Sequence, residues 1–421
     1  MTAMSSPEGS PRWYGRPAAR DWTCAGPPEE VRAFHVALPD YAPTPLVERP
    51  ALAQELGVGR VFVKDESSRL GLPAFKVLGA SWAIAQIVAA RARLTPPFTL
   101  DALKAATAGH PLTLVTATDG NHGRAVARIA SLLDLPAHVI VPRMVSRAAV
   151  AAIAAEGATV TTGHGSYDEA VALAAAQAVA GQSDVALVQD TAWPGYEEVP
   201  RRIVEGYATL LAEVDDQLRD AGAGGPDLVV VPVGVGSLAQ AVVTHYRSRR
   251  NGRPAAILSV EPETAACVLD SLTAGKPRAV GTGATIMAGL NCGTPSSLAW
   301  PYLRNGLDAA VAVCDGAAAH ASEDLWDLGL SSGPSGAASL AGARAMLTGP
   351  GSDRRRVELG IESKSVLVLL STEGRAATGQ PVSVGTGSHR PQEEPNDRLR
   401  PARGLSQRTQ GRTGRAPERP R

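Results

Sequence analysis

The sequence predicts an α/β fold of two domains, each with a mainly parallel, twisted sheet flanked by helices. Short runs rich in β-branched residues alternate with Ala-rich amphipathic stretches, the pattern of strand–helix–strand units around parallel sheets. Nine candidate strands are more than one ordinary doubly wound sheet needs. A chain of 421 residues is also long enough to bury two hydrophobic cores.

The predicted strands are short apolar runs bounded by turn residues. In chain order they cover residues 60–64, 112–118, 137–142, 159–163, 185–190, 228–234, 256–261, 309–314 and 365–372. Helical periodicity fills most of the intervals, at residues 75–91, 122–133, 146–156, 167–179, 200–220 and 237–250.

These elements divide into a large domain of residues 35–85 and 205–378 and a small domain of residues 86–204. Residues 1–34 are expected to be irregular, because the first part of this segment is rich in Pro, Gly, Ser and Arg. Residues 379–421 are rich in Arg and Pro and contain no aromatic residue, so we expect a disordered tail. A basic arm for nucleic acid is the alternative interpretation of that tail.

The composition argues against several classes of protein. The formal net charge is +0, so no overall field favours nucleic acid or a membrane surface. The longest apolar runs are too short for a membrane span, and the N-terminus lacks the apolar core of a secretory signal. The four cysteines form neither a disulfide framework nor a metal-ligand spacing, although Cys267 and Cys292 flank one connection and could lie close. We therefore expect a cytoplasmic protein without a metal site.

Lys76 is the first candidate catalytic residue. The chain has only five lysines, and this one stands between Phe75 and Val77 at the start of an apolar helix. Desolvation in such a site is expected to lower the pKa of the ammonium group and leave a nucleophilic amine. The alternative is a lysine whose stem lies on the helix while its charged group reaches water.

A glycine turn between a strand and a helix is the second candidate feature. It comprises Gly234, Val235, Gly236 and Ser237 and follows an apolar run. Glycines let backbone amides approach an anion, and the N-terminus of a helix favours negative charge. The third glycine of a dinucleotide-binding motif would fall at Ala239, and no Gly-Lys-Ser/Thr follows, so the expected anion is a single phosphate.

Two further polar clusters follow predicted strands. Asp119 and Asn121 follow one strand, where the Asn121 amide could hold a phenolate-type oxygen. Ser371 and Thr372 end another strand, and a neutral hydroxyl there could meet a ring nitrogen without protonating it. Together with Lys76 and the glycine turn, these groups describe a site for pyridoxal 5′-phosphate.

The chain resembles the fold type II pyridoxal-phosphate enzymes and, more narrowly, the diaminopropionate ammonia-lyases. The resemblance covers roughly residues 35–374. It is carried by PTPL at 43–46, VKDESSRLGLPAFK at 63–76, ATDGNHG at 117–123, QDTAWPGYE at 189–197, ATIMAGL at 284–290 and IESKS at 361–365. The pattern departs from the family at Pro334, where an acid is frequent, and after Gly374, where further acids are usual.

The resemblance implies an α,β-elimination that converts 2,3-diaminopropionate to pyruvate and ammonia. Lys76 would hold the cofactor as an imine and then act as the base at the α-carbon. Asp119 stands where related dehydratases usually have serine, and would pair with the β-ammonium group or deprotonate one enantiomer. Asp190 is a further candidate carboxylate. For both aspartates a structural role remains the alternative.

Other activities on the same fold stay open. These are a serine or threonine dehydratase, a β-replacement transferase and a non-catalytic paralogue, the last suggested by the altered C-terminal region. Asp119 argues against the hydroxyl substrates. The resemblance further implies a small amino-acid substrate and a homodimer, with no nucleic-acid or membrane partner.

Overall fold

The computed structural model describes residues 11–108, 111–118, 120–165, 167–181, 184–248 and 254–378. Within these residues the chain forms two sheets, one of seven strands and one of four. The strands are connected mainly by helices, which cover the sheet faces. The predicted α/β fold is therefore confirmed. The predicted tail at 379–421 lies outside the described residues.

The larger sheet has five parallel strands at its centre and one antiparallel strand at each edge. Its order is β1 (Trp13–Gly15), β10 (Ala309–Val313), β9 (Ala256–Pro262), β8 (Leu228–Pro232), β11 (Val366–Ser371), β3 (Arg60–Asp65) and β2 (Leu46–Glu48). Strands β1 and β2 are the antiparallel edge strands. Both edge strands were absent from the sequence prediction, because three residues are too few to establish a period-two pattern.

The central strands of this sheet are buried on both faces. Along β8, Val229 and Val231 enter one hydrophobic cluster, while Leu228 and Val230 enter another on the opposite face. Successive side chains of a strand point to opposite faces, so continuous apolar sequence is required when helices cover both. This requirement explains why the five central strands of the larger sheet were recognisable from the sequence.

The smaller sheet is entirely parallel. Its order is β6 (Thr159–Thr162), β5 (Ala137–Val141), β4 (Thr113–Ala117) and β7 (Val185–Leu187). All four strands come from the predicted small domain, whereas the larger sheet is built from residues on either side of it. The proposed domain boundaries stay a prediction.

The helices connect and cover these strands. They are α1 (Glu30–Val36), α2 (Pro50–Leu56), α3 (Lys76–Ala92), α4 (Leu100–Thr107), α5 (Asn121–Leu132), α6 (Arg147–Ala155), α7 (Tyr167–Ala180), α8 (Glu198–Gly206), α9 (Ala208–Asp220), α10 (Ser237–Arg247), α11 (Cys267–Ala274), α12 (Trp300–Gly306), α13 (Asp315–Asp327), α14 (Pro334–Leu347) and α15 (Ser352–Leu359). The single helix predicted at 200–220 is two helices divided at Tyr207.

The N-terminal segment, which we expected to be irregular, contains regular structure. Strand β1 pairs with β10, and α1 buries Val31 and Phe34. Arg20 is bound by its Nε atom to Asp308 at 2.7 Å, which ties the segment to the start of β10. Tertiary pairing therefore orders a stretch whose composition alone favours irregular structure. No helix of the described residues is both long and apolar enough to cross a membrane.

Helices α3 and α8 cross closely because each has a glycine at the crossing. A β-carbon on Gly206 would lie 2.4 Å from the Leu78 carbonyl oxygen and 2.7 Å from the Gly79 α-carbon. A β-carbon on Gly79 would lie 2.6 Å from the Tyr207 ring. This crossing fixes the position of α3, whose first residue is Lys76.

Candidate active site

The predicted site residues follow the carboxyl ends of parallel strands in both sheets. Lys76 comes after β3, Asn121 after β4, Asp190 after β7, the turn from Gly234 to Ser237 after β8, and Ser371 with Thr372 at the end of β11. In open parallel sheets this edge is where ligands bind. Direct contacts across the two sheets bring most of these residues together.

The central contact is an ion pair between Lys76 and Asp190. The Nζ atom lies 2.5 Å from Asp190 Oδ2, and the two side chains are 22% and 8% exposed. Burial favours the neutral amine, but the charge of Asp190, its hydrogen bond and the nearby Tyr207 and Cys292 together outweigh burial and raise the pKa of Lys76 above its ordinary value. The predicted lowering of the Lys76 pKa was therefore wrong, because the sequence could not show the carboxylate at hydrogen-bond distance.

Asp190 is held as an anion by the same pair. Burial alone would raise its pKa, but Lys76 and a hydrogen bond from it lower the pKa of Asp190 to about 2. His122 lies next to Asp190, with its Nδ1 atom 3.9 Å from Asp190 Oδ2. Its Nε2 atom is 2.8 Å from the Val188 carbonyl oxygen. Burial lowers the pKa of His122, which favours the neutral imidazole.

Two buried polar atoms near this pair have no hydrogen-bond partner among the described residues. They are His122 Nδ1 and the hydroxyl oxygen of Tyr207. Tyr207 is fully buried and packs against Phe75 with ring centroids 4.8 Å apart. Buried polar groups are nearly always paired in folded proteins, so unpaired polar atoms around the Lys76 amine fit a site that receives a ligand.

The predicted glycine turn opens α10, an 11-residue helix. Gly236 has φ +103°, and a β-carbon there would lie 2.6 Å from Leu303. The Ser237 hydroxyl donates to the Asp190 carbonyl oxygen at 2.7 Å, so the turn is attached directly to the central pair. The N-terminus of α10 has no side-chain cap. Its amides and dipole fit a phosphate group.

The predicted ring-nitrogen partner lies at the end of β11. Ser371 is fully buried, and its hydroxyl donates to the Ser332 hydroxyl at 2.7 Å. The Thr372 carbonyl accepts a hydrogen bond from the Phe75 amide at 3.3 Å. These bonds fix the end of β11 beside the residue that precedes Lys76. Ser332 was not predicted, because it lies 39 residues from Ser371 in the sequence.

The Asn121 amide is bound by a residue that sequence reasoning left without a role. Its Nδ2 atom donates to Glu373 Oε2 at 2.6 Å, and Glu373 is only 5% exposed. Glu373 directly follows the two hydroxyl residues of β11. An acid next to a predicted binding segment was the signal available in the sequence. Asp119, the predicted substrate-binding carboxylate, lies outside the described residues.

The prediction that Cys267 and Cys292 could lie close agrees with their positions around Gly234. The Cys267 thiol lies 3.8 Å from the Gly234 carbonyl oxygen, and a β-carbon on Gly234 would lie 3.0 Å from Cys292 Sγ. Both side chains are thiols in this structure. The glycine at 234 is thus required for close packing as well as for the turn.

A groove with a cavity of about 520 Å³ adjoins the glycine turn. It is bounded by one face of α7, by residues 191–193 and by residues 292–295, and Val235 lies in its wall. Most of its lining is apolar. The groove connects the surroundings of Val235 with the outside and is large enough to admit a small amino acid.

The donors present fit pyridoxal phosphate. An amine for the aldehyde, an uncapped helix start for the phosphate, an amide for the ring oxygen and a hydroxyl for the ring nitrogen all lie at one edge of the sheets. The orphan atoms of His122 and Tyr207 add unsatisfied polar capacity at the same place. The individual roles of Lys76, Asn121, Asp190, Ser237 and Ser371 stay predictions.

Comparisons with known proteins agree with this arrangement. A family model described as "Pyridoxal-phosphate dependent enzyme" matches residues 37–369. The diaminopropionate ammonia-lyase of Salmonella typhimurium is 36% identical over 380 residues, which are 86% of this chain and 92% of that protein.

Solved structures of the diaminopropionate ammonia lyase from Escherichia coli are also similar. A complex with D-serine has a TM-score of 0.79 and 33% identity, covering 87% of this chain and 94% of that one. A complex with an aminoacrylate–PLP azomethine reaction intermediate has a TM-score of 0.76, 32% identity and the same coverage.

Proposed function

On the premise that this chain belongs to the family of pyridoxal-phosphate dependent enzymes, we propose that it is a carbon–nitrogen lyase acting on 2,3-diaminopropionate. The reaction is an α,β-elimination that yields pyruvate and ammonia. The similar lyases extend over most of the chain, and the site groups lie within the shared region. The cofactor is pyridoxal phosphate.

The observation that carries this proposal is the Lys76–Asp190 pair attached to the glycine turn. Lys76 supplies a lysine amine at the shared sheet edge, whereas Lys64 near the end of β3 is bound by Glu213, by Gln217 and by the Thr44 carbonyl. Asp190 both pairs with that amine and, through its carbonyl, accepts from Ser237 at the start of α10. A reactive amine and a phosphate site thus stand in a fixed relation.

When bound, the cofactor supplies an electron-withdrawing conjugated ring that acidifies the substrate α-carbon. The N-terminus of α10 would hold the phosphate, Asn121 would donate to the ring oxygen and Ser371 would lie against the ring nitrogen. A hydroxyl is neutral, so it places no proton on that nitrogen and limits charge accumulation in the ring. This favours expulsion of a β-group over amino transfer.

Lys76 is the base at the substrate α-carbon. Once its Nζ atom has taken a proton, the ammonium is stabilised by the Asp190 carboxylate, because a positively charged Lys76 lowers the pKa of Asp190. The substrate's β-ammonium group leaves as neutral ammonia with the electrons of the broken C–N bond, so it needs no further proton. His122 stays neutral and packs behind Asp190, so it adds no competing positive charge to the pair.

Serine is the second candidate substrate. A similar structure was determined in complex with D-serine. The residue expected to discriminate, Asp119, would attract a β-ammonium group and offer nothing comparable to a β-hydroxyl. We also propose that the enzyme is a homodimer located in the cytoplasm, in line with the family it resembles. Light scattering of the purified protein tests the dimer.

The proposed reaction is tested by incubating the cofactor-loaded protein separately with diaminopropionate and with serine and assaying pyruvate and ammonia. Lys76→Ala is expected to lower diaminopropionate turnover by about 10³-fold or more. Lys104→Ala is the matched control, since Lys104 is 46% exposed and pairs with Asp134 on the surface. Pyruvate from serine alone, or full activity of Lys76→Ala, would contradict the proposal.

A further inference from the structure

We propose that Glu373 is a positioning residue that acts through Asn121: its carboxylate fixes the orientation of the Asn121 amide so that one N–H faces the ring oxygen of the cofactor. This inference rests on the proposed function and assigns a role to a residue that the mechanism above does not use. Glu373 itself contacts Asn121 and is not assigned any contact with substrate.

The contact joins the two sheets. Asn121 is the first residue of α5 and follows a strand of the smaller sheet, whereas Glu373 follows β11 of the larger sheet. Their Nδ2 and Oε2 atoms lie 2.6 Å apart, at the short end for a hydrogen bond to a charged acceptor. The backbone of Glu373 also bridges to Ala74, two residues before Lys76.

The carboxylate decides which way the amide points. An ionised carboxylate offers only acceptors, whereas an asparagine side chain has two N–H donors on one side and an oxygen on the other. With Nδ2 against Glu373, one N–H is used and the second remains for another acceptor. The flipped amide would place its oxygen against the carboxylate and lose the bond. Glu373 therefore holds the donor side of Asn121 in the site.

The surroundings of Glu373 are built to hold a carboxylate. Ser335 donates to it through its hydroxyl and its backbone amide. Gly333 makes room for this side chain, since a β-carbon there would lie 3.2 Å from Glu373 Oε1 and 2.9 Å from the Gly374 carbonyl oxygen. Burial raises the pKa of Glu373, while the bonds from Ser335 and Asn121 oppose that rise. A buried acid with three donors is well defined in position.

The test compares Glu373→Gln, Asn121→Ala and the double variant in the cofactor-loaded protein. Glutamine keeps the size but can donate as well as accept, so either amide orientation of Asn121 becomes hydrogen-bonded. We expect the absorption band of the bound cofactor and its pH titration to shift in the same direction in both single variants. Cofactor binding should weaken by about tenfold in each.

The double variant should shift no further than Asn121→Ala alone, because Glu373 acts through that amide. Glu156→Gln is the control, since Glu156 is a partly buried acid that binds Arg124 and Arg128 of α5 and not Asn121. That control should leave the band unchanged. Glu373→Asp keeps the charge but moves the carboxylate away from Asn121 by the length of one methylene group. This variant should therefore also weaken cofactor binding.

An unchanged band and unchanged cofactor affinity in Glu373→Gln would overturn the inference while leaving the proposed function intact. Additive shifts in the double variant would also overturn it, because they show independent action. If circular dichroism shows that Glu373→Gln is not folded, the absorption band and the cofactor affinity of Glu373→Asp decide instead. A wild-type protein that gains no band with pyridoxal phosphate would overturn the proposed function and this inference together.

Discussion

Replacing Asp190 with asparagine removes the counter-charge of Lys76 while preserving the size of the side chain. The two groups lie 2.5 Å apart, and the Asp190 side chain is 8% exposed, so solvent screens the pair weakly. We expect Asp190→Asn to destabilise the cofactor-free protein at neutral pH. The neighbouring Lys76 would then tend to lose its proton, because burial disfavours an unpaired ammonium.

The magnitude follows from the pKa of Asp190. The group titrates at about 2 in the folded protein, against about 3.8 ordinarily. Since one pKa unit corresponds to about 1.4 kcal/mol, the contribution to the free energy of unfolding is about 2.5 kcal/mol. A lowered carboxyl pKa stabilises the fold above the ordinary pKa. The contribution is therefore complete from about pH 5 upward and is lost as the pH falls from about 4 towards 2.

The assay is urea unfolding of the cofactor-free protein, followed by circular dichroism at pH 7, pH 5 and pH 3.5. Asp134→Asn is the control, because Asp134 also pairs with a lysine, at 2.7 Å, but its side chain is 68% exposed. An exposed pair contributes at most about 1 kcal/mol. The reasoning is refuted if Asp190→Asn costs no more than Asp134→Asn at pH 7, or if its cost grows as the pH falls.

Three other substitutions test the framework of the site. Gly236→Ala should weaken cofactor binding and lower the melting temperature, because φ at this position is +103° and the new methyl group would collide with Leu303. An unchanged cofactor affinity would contradict this prediction. Gly79→Ala should destabilise by about 1–3 kcal/mol by separating α3 from α8, and a neutral result in thermal unfolding would show that the crossing can adjust. Glu213→Gln should cost about 3–5 kcal/mol, because it leaves the fully buried Lys64 and Arg69 without a shared carboxylate, whereas Glu48→Gln at the surface should cost about 1 kcal/mol or less.

The strands were predictable where both faces are buried. Continuous apolar sequence such as the run in β8 is typical of a central parallel strand, so the five central strands of the larger sheet were found within two residues of their ends. The short edge strands β1 and β2 were not, because pairing partners distant in the sequence create them. Likewise, the break between α8 and α9 follows Gly206, but a single glycine inside a helical pattern does not by itself mark a helix end.

The site was predictable in its parts and not in its connections. The motifs around Lys76, Asn121, Gly236 and Ser371 each follow a strand, so their common location at one sheet edge followed from parallel topology. Which groups would touch could not be inferred. Contacts such as the one between Asn121 and Glu373 span 252 residues, and nothing local encodes such a pairing.

The sequence by itself determined the fold class and the cofactor-type chemistry and predicted Lys76 as the reactive amine, because these depend on local apolar patterning and on short motifs. Only the tertiary structure decided the charge state of that amine. Burial alone predicts a lowered pKa for Lys76, but an ion pair formed across the two sheets raises it. The sign of an electrostatic shift depends on the partner within a few ångströms, and that partner is set by how the sheets pack.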